Sequence, residues 1–545
     1  MDSGYLLDYE KIGLKVGLEI HQQLDTETKL FCRCPVKYQH GQEDYRIIRH
    51  MRPTLSEMGE YDRAALMEFR TKKNITYLLH RENTCTYEMD DTPPFPLNEQ
   101  ALDIALRIST LFRLSIVDEV HISRKQYLDG SIPTGFQRTA VIGINGGIRY
   151  GEKDIRITHI CLEEDACREV WDRRHSIGFR TDRLGTPLVE VITAPDMHTP
   201  EDAMNVAREL GWAMRYLGIV RRGIGATRQD VNVSIDGGRR VEIKGVDKYQ
   251  FIRDLVAIEA YRQKKLLDIT RELKERGLKE EDIELKPVDY TDLADKIEIA
   301  SLKRAVEEGG VLKGIHLPKF AGILDTDIGG GRLFSQDFAG RVRVIACLDD
   351  MPNIAHTDED VLNEIKEEVM KRAGAVEKDA VMLVWGPEED VKTALEEIRD
   401  RAREALDGVP NETRQVLDDM TTDFERILPG SDRMYPDTDL PPIVLGSDLL
   451  ESVNREVSYP WEDIHRYEEM GLDRRKSWNI LLSSEDEKKA FYALEKRFGA
   501  PFSYHMVFEA RKGMLRKGKE VPLSKMMEIA EKSDKKGLKS WLYSL

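Results

Sequence analysis

Alternation of apolar and polar residues is the first ordered signal along the chain. Between Ile12 and Leu24, Leu14, Val16, Leu18 and Ile20 alternate with Lys15, Gly17, Glu19 and His21. A period of two predicts a strand with its aliphatics on one face and Glu19 and His21 together on the other. A second alternating run, Ile155 to Leu162, predicts a strand that ends in three consecutive acids, Glu163-Glu164-Asp165. The third run is a hairpin from Arg228 to Gly245. Val231, Val233 and Ile235 alternate with Asp230, Asn232 and Ser234, and Val241 and Ile243 with Glu242 and Lys244. A three-residue loop at Asp236-Gly237-Gly238 aligns Val233 with Val241, Asn232 with Glu242 and Asp230 with Lys244.

Beyond these strands the character of the chain changes twice. Residues 1–285 mix strands, glycine turns and a few helices. Residues 286–408 open at Lys286-Pro287 and carry their own alternation of strands and helices. From about residue 450 onward the pattern is helical and highly charged. The expected class is α+β and multidomain: a mixed-sheet body, an inserted α+β module and a helical C-terminal domain. A chain of 545 residues suits that division, since domains run to about 100–200 residues each.

Composition narrows the setting. No apolar run approaches the ~18 residues of a membrane span, and Met1-Asp2-Ser3-Gly4-Tyr5 has no features of an export signal. Six cysteines in this length do not make a disulfide scaffold, so a reducing cytoplasm is expected. The net charge of -17 argues against a basic nucleic-acid coat. Locally the sign reverses: Arg511 to Leu545 holds ten Lys or Arg against four acids, a net +6.

The candidate chemistry lies on the polar strand faces. Three strand regions offer carboxylates beside Arg and Lys. That mixture suits Mg²⁺ with phosphate better than zinc hydrolysis, because hard cations take oxygen ligands and phosphate takes Arg and Lys. Each strand taken alone reads first as a solvated face. No P-loop motif occurs, and Gly223-Ile224-Gly225 lacks the third glycine of a dinucleotide fingerprint. Ser123-Arg124-Lys125 and Pro133-Thr134-Gly135-Phe136 read as ordinary loops able to bind anions. Cys32-x-Cys34 and Cys85 fall one ligand short of a zinc site, so the cysteines read as small buried thiols.

Several motifs in order carry a resemblance. They are Lys15-Val16-Gly17-Leu18-Glu19-Ile20-His21-Gln22-Gln23-Leu24, Ser123-Arg124-Lys125-Gln126-Tyr127, Leu162-Glu163-Glu164-Asp165-Ala166, Asp182 through Glu190, Arg228 through Ser234, and Glu242-Ile243-Lys244. Together they resemble the B/E subunits of tRNA-dependent amidotransferases. Gly322 through Ile328 and Val342-Arg343-Val344 resemble the insertion domain of bacterial aspartyl-tRNA synthetases, which marks the archaeal E branch. Asn411-Glu412-Thr413-Arg414 and Arg433 through Pro442 look like the body resuming. The resemblance thus implies a cradle-like catalytic body over 1–285, an insert over 286–408, the body again over 409–450 and a helical tRNA-binding domain over 451–545. Members usually carry a further small helical module, which is not evident before Leu545.

The family's chemistry, as the resemblance implies it, acts on tRNA(Gln) mischarged with glutamate. ATP phosphorylates the side-chain carboxylate, and ammonia then displaces phosphate to give Gln-tRNA(Gln). Carried over position by position, Glu19, His21, Glu164, Asp230 and Glu242 are metal candidates for Mg²⁺, with Glu163 a lesser one. Glu164 is also a catalytic candidate, as are Lys125, at the ammonia entrance, and Arg183. Arg183, Arg228 and Lys244 are candidates for phosphate contacts. The ammonia source is an asparaginase-like glutaminase, the D subunit, in a heterotetramer of two D and two E subunits, with no membrane partner. A metal-dependent phosphohydrolase and a non-catalytic tRNA-binding scaffold are the alternatives that composition and periodicity leave open.

Overall fold

The computed structural model describes residues 7–56, 59–428, 430 and 433–545. Among them the chain forms two units, Met1–Arg208 with Arg221–Leu450, and Glu209–Val220 with Glu451–Leu545.

The first unit is built on an eleven-stranded mixed sheet. Its strands are β1 (Lys15–Gln23), β2 (Ile122–Gln126), β3 (Phe136–Tyr150), β4 (Lys153–Glu164), β5 (Pro187–Thr193), β6 (Thr227–Ser234), β7 (Val241–Val246), β8 (Glu412–Val416), β9 (Thr422–Ile427) and β10 (Met434–Pro436). They lie in the order β9-β8-β7-β6-β1-β5-β4-β3-β2-β10, with Ser115–Ile116 beside β3. β1 is central and antiparallel to both β5 and β6. Val16, Leu18 and Ile20 are fully buried on one face, as the alternation expects. The opposite face is not solvated: His21 and Gln23 are buried too.

The β6–β7 hairpin keeps the expected register, with Val233 opposite Val241 and Asn232 opposite Glu242. Gly237 supplies the left-handed conformation of the turn, at φ 78°. The expected pairing of Asp230 with Lys244 does not form. A bulge between Gln229 and Val231 shifts the ladder, and Gly245, at φ 71°, donates its N–H to Asp230 Oδ1 at 2.9 Å. A side chain would strain that left-handed position.

A long helix, α1 (Tyr249–Glu275), packs its apolar stripe on β6, and Gln263 Nε2 donates to Val233 O at 3.0 Å. Residues 286–408 then form a separate antiparallel sheet of Val288–Asp289, Val311–Leu317, Ala380–Gly386 and Ile354–His356. Its central strand is buried at every position. Ala380, Met382 and Val384 enter one core while Val381, Leu383 and Trp385 enter another. A strand covered on both faces reads as a continuous apolar run, as this one does. The chain returns through β8, which pairs parallel to β7.

A buried charge network ties this module to the body. Asp337 on α2 (Phe334–Ile345) meets Arg262 of α1 at 2.7 Å, Arg401 of α3 (Glu388–Glu404) at 3.2 Å and Arg414 of β8 at 3.3 Å. Arg262 also reaches Glu412 at 2.7 Å. The three guanidiniums hold the Asp337 carboxyl far below the usual carboxylate range despite its burial.

The second unit is helical. Glu209 is buried at its centre and accepts hydrogen bonds from Trp478 Nε1 at 2.8 Å, Trp461 Nε1 at 3.1 Å and Arg474 Nη2 at 2.7 Å. Among the described residues no helix is long and apolar enough to cross a membrane.

Candidate active site

The polar face of β1 and its neighbours opens into a cavity of about 1550 Å³. Strand pairing determines which side chains meet there. The register places Glu19 opposite Asp230 on one side, and His21 opposite Glu190 on the other. Two donor sets result, each with ligand atoms within 4.8 Å of one another: Glu19, His21 and Asp230, and His21, Glu163 and Glu190. The imidazole belongs to both. His21 Nε2 lies 3.4 Å from Asp230 Oδ2 and 3.7 Å from Glu190 Oε1, and neither ring nitrogen makes a hydrogen bond.

Electrostatics follow from crowding acids in a buried place. Burial and the charges of Glu190, Glu242 and Asp230 push the Glu19 carboxyl up to about 7. Burial acts in the same direction on Asp230, but the neighbouring His21 and Lys244 overcome it and hold Asp230 below the carboxylate range. Burial would lower His21, yet Asp230 and Glu190 raise it. Lys125 pairs with Glu163 and lies 3.5 Å from Glu190 Oε2, so its ammonium stays charged although buried. Lys244 lies 3.9 Å from Glu242 Oε1. Burial and Arg426 act to discharge it, while Glu242 and Glu425 hold it above the ordinary lysine value.

The structure gathers Glu19, His21, Lys125, Glu163, Asp230, Glu242 and Lys244 around one cavity. Glu164 is not brought to the donor sets. It accepts from Tyr87 Oη at 3.0 Å and from the Arg138 backbone N–H at 3.0 Å. The reason is strand alternation: consecutive residues of β4 point to opposite faces, so Glu163 and Glu164 cannot share one site. Arg183 and Arg228 line the cavity but are already engaged. Arg183 donates to Ala166 O and Cys167 O, and Arg228 pairs with buried Asp165 at 3.1 Å.

Glu190 is the member that reading the sequence passed over. Its signal is a lone acid in the apolar run Leu188-Val189-Glu190-Val191-Ile192. A third donor set gathers away from these strands. Cys32, Cys34 and Cys85 meet Glu88, the fourth donor that was missing, and Lys29 Nζ approaches Glu88 Oε1 at 2.5 Å. Three thiols and a carboxylate are a set that can hold zinc.

Clustered carboxylates and an imidazole beside lysines, in a cavity on a mixed sheet, define an enzyme site suited to a divalent cation and an anionic substrate. Comparisons with known proteins give the class a name. The GatB/GatE catalytic domain matches residues 14–451. The E subunit of glutamyl-tRNA(Gln) amidotransferase from Methanopyrus kandleri is 44% identical over 477 residues, covering 86% of this chain and 74% of the relative. The protein of the same name from Methanocaldococcus jannaschii is 42% identical over 484 residues, covering 88% and 76%. That from Thermococcus sibiricus is 42% identical over 486 residues, covering 88% and 76%. The chain belongs to the GatB/GatE family.

Proposed function

We propose that the protein converts Glu-tRNA(Gln) to Gln-tRNA(Gln) in this cavity. The observation that carries the reading is the shared imidazole: His21 is buried, unbonded at both nitrogens, and common to two carboxylate sets. Buried polar groups are normally satisfied, so a ring left open among acids fits a cation. Glu19, His21 and Asp230, with Glu163 and Glu190, would hold Mg²⁺, and Glu242 stands beside them. When bound, the ion would offset the charge of phosphate groups that these acids would otherwise repel.

The reaction divides into two transfers. The glutamyl carboxylate attacks the γ-phosphorus of ATP, and ADP leaves. Ammonia then attacks the acyl phosphate, phosphate leaves, and one proton is lost from nitrogen. Of Lys125, Arg183, Arg228 and Lys244, Lys244 is the least committed to other residues and would face the phosphate chain. Arg228 and Arg183 would act mainly by fixing Asp165 and the Ala166–Cys167 backbone. Lys125, held by Glu163 and Glu190, would stand where ammonia enters. Glu164 would support this wall through Tyr87 and Arg138.

The other proposals follow from the same family membership. The ammonia source is an asparaginase-like D subunit, two copies of which join two of this chain in the cytoplasm. Residues 286–408 act as the inserted module, 409–450 complete the body, and 451–545 bind tRNA. The test is phosphate release from ATP with Glu-tRNA(Gln), run with and without the glutaminase partner. Release that requires the charged tRNA supports the reading. Release with simple phosphate esters alone would replace it with a phosphohydrolase.

A further inference from the structure

The cavity wall that carries Lys244, Arg240, Arg426 and Arg433 is rich in cations; of its acids, Glu242 lies beside Lys244 and Glu68 pairs with Arg426, while Glu425 keeps an oxygen without a partner. β9 pairs with β8 through Arg426 opposite Thr413 and Phe424 opposite Arg414. Glu425 is therefore the extra residue of a β-bulge. Such a bulge re-aims a side chain and is common beside active sites. Here Glu425 lines the cavity next to Arg426. Its Oε2 is buried and has no hydrogen-bond partner.

Glu425 belongs to neither donor set around His21. Burial raises its carboxyl, and Lys244 and Arg426 are the opposite charges that act on it, against the like charges of Asp230 and Glu242. A carboxylate only accepts hydrogen bonds, and it repels phosphate oxygens. A phosphate chain lying along Lys244 and Arg240 must end where Glu425 begins. The next group along the ligand must be neutral and able to donate. In a nucleotide the group joined to the phosphate chain is a ribose, whose hydroxyls donate.

We propose that Glu425 is a specificity-determining residue that accepts a hydrogen bond from a ribose hydroxyl of the nucleotide bound in this cavity. The inference rests on the nucleotide chemistry proposed above. Two riboses share that chemistry: that of ATP and that of the 3′-terminal adenosine of tRNA.

Two binding series on the full chain test it. In one, calorimetry compares ATP, 2′-deoxy-ATP and 3′-deoxy-ATP. In the other, filter binding compares uncharged tRNA ending in adenosine, 2′-deoxyadenosine or 3′-deoxyadenosine. In one series, loss of a single hydroxyl should weaken wild-type binding about 10- to 100-fold. The same loss should matter less than about threefold in Glu425→Ala, because the acceptor is gone. Glu425→Gln keeps an acceptor oxygen and should discriminate to an intermediate degree, which keeps the test open if the alanine variant fails to fold. Wild-type binding that ignores every hydroxyl would overturn the inference alone, as would full discrimination in Glu425→Ala. A wild type that binds neither ATP nor tRNA would overturn the nucleotide reading and the inference together.

Discussion

His21 Nε2 lies 3.4 Å from Asp230 Oδ2, although the two residues are not directly opposed in the sheet. The register pairs Glu19 with Asp230 and His21 with Arg228, so His21 and Asp230 are diagonal neighbours on one face. Diagonal neighbours lie within reach of long side chains. The bulge that diverts Gly245 N–H to Asp230 Oδ1 occupies one carboxylate oxygen and leaves the other facing the imidazole.

This relationship makes the first prediction. Asp230→Asn and His21→Ala should each lower tRNA-dependent phosphate release by about two to three orders of magnitude. Affinity for tRNA should change little, since neither side chain is on an RNA-sized surface. Near-normal turnover of either variant at saturating Mg²⁺ would remove it from the metal set.

The second prediction concerns pH. The Glu19 carboxyl is raised to about 7, and His21 is also raised. A group with a raised pKa favours the fold while protonated and loses that contribution as pH rises through its folded value. Asp230 and Glu190 are lowered, so their contribution is lost only below the carboxylate range. In EDTA the melting temperature should therefore fall between pH 6 and pH 8, and Mg²⁺ should recover most of the loss at pH 8. Glu19→Gln should flatten the profile. A melting temperature that rises over this window in EDTA would contradict the assignment.

Lys125 gives the third. Its ammonium is shared by Glu163 and Glu190, so its removal leaves two buried acids without their cation. Lys125→Met should reduce Gln-tRNA(Gln) formation from glutamine more than it reduces phosphate release. Measuring both products in one assay separates the two. Equal losses would place Lys125 in carboxyl activation instead of ammonia use.

A fourth prediction tests how the inserted module is attached. Asp337→Ala would leave Arg262, Arg401 and Arg414 facing one another around a missing anion. Breaking a buried pair in this way costs about 3–5 kcal/mol. Urea unfolding should show that loss. A change under about 1 kcal/mol would mean that Glu412, which also pairs with Arg262 and Arg414, suffices.

How much of this was legible depends on the period of each element. Alternation in β1 was enough to place Glu19 and His21 on one face, and the glycine turn was enough to set the hairpin register as far as Glu242. Alternation also bore on Glu163 and Glu164, because adjacent strand residues cannot both point into one site. The parts beyond reach depend on bulges and distant pairings. The shift at Gln229 moved Lys244 out of line with Asp230, and the bulge on β9 turned Glu425 inward. Glu190 and Glu88 needed knowledge of which strand or loop lies alongside, which no local pattern carries. Arg183 and Arg228 looked available for phosphate because the acid and carbonyls that engage them are distant in sequence.

The last prediction concerns the basic stretch from Arg511 to Leu545. Its +6 balance suggests a phosphate-contacting surface, but the structure sorts its cations into two kinds. Arg511 pairs with Glu487 at 3.2 Å and donates to Val521 O at 3.0 Å, so it holds the helices together. Lys532 pairs with Glu528 at 2.7 Å, and Lys519 donates to Leu545 O. Arg516, Lys517, Lys525 and Lys536 are exposed. Those four are among the exposed residues that can meet a backbone without unpicking the fold. Replacing them together with Gln should weaken tRNA binding at low salt. Removing each phosphate contact should also reduce the slope of log affinity against log salt by about 0.7–0.9. Because phosphate contacts position without reading sequence, binding of cognate and non-cognate tRNA should fall alike. Replacing Arg511 instead should lower the melting temperature of the chain. If the quadruple variant binds tRNA with unchanged affinity and salt slope, these residues serve only solubility and the RNA-facing surface lies elsewhere.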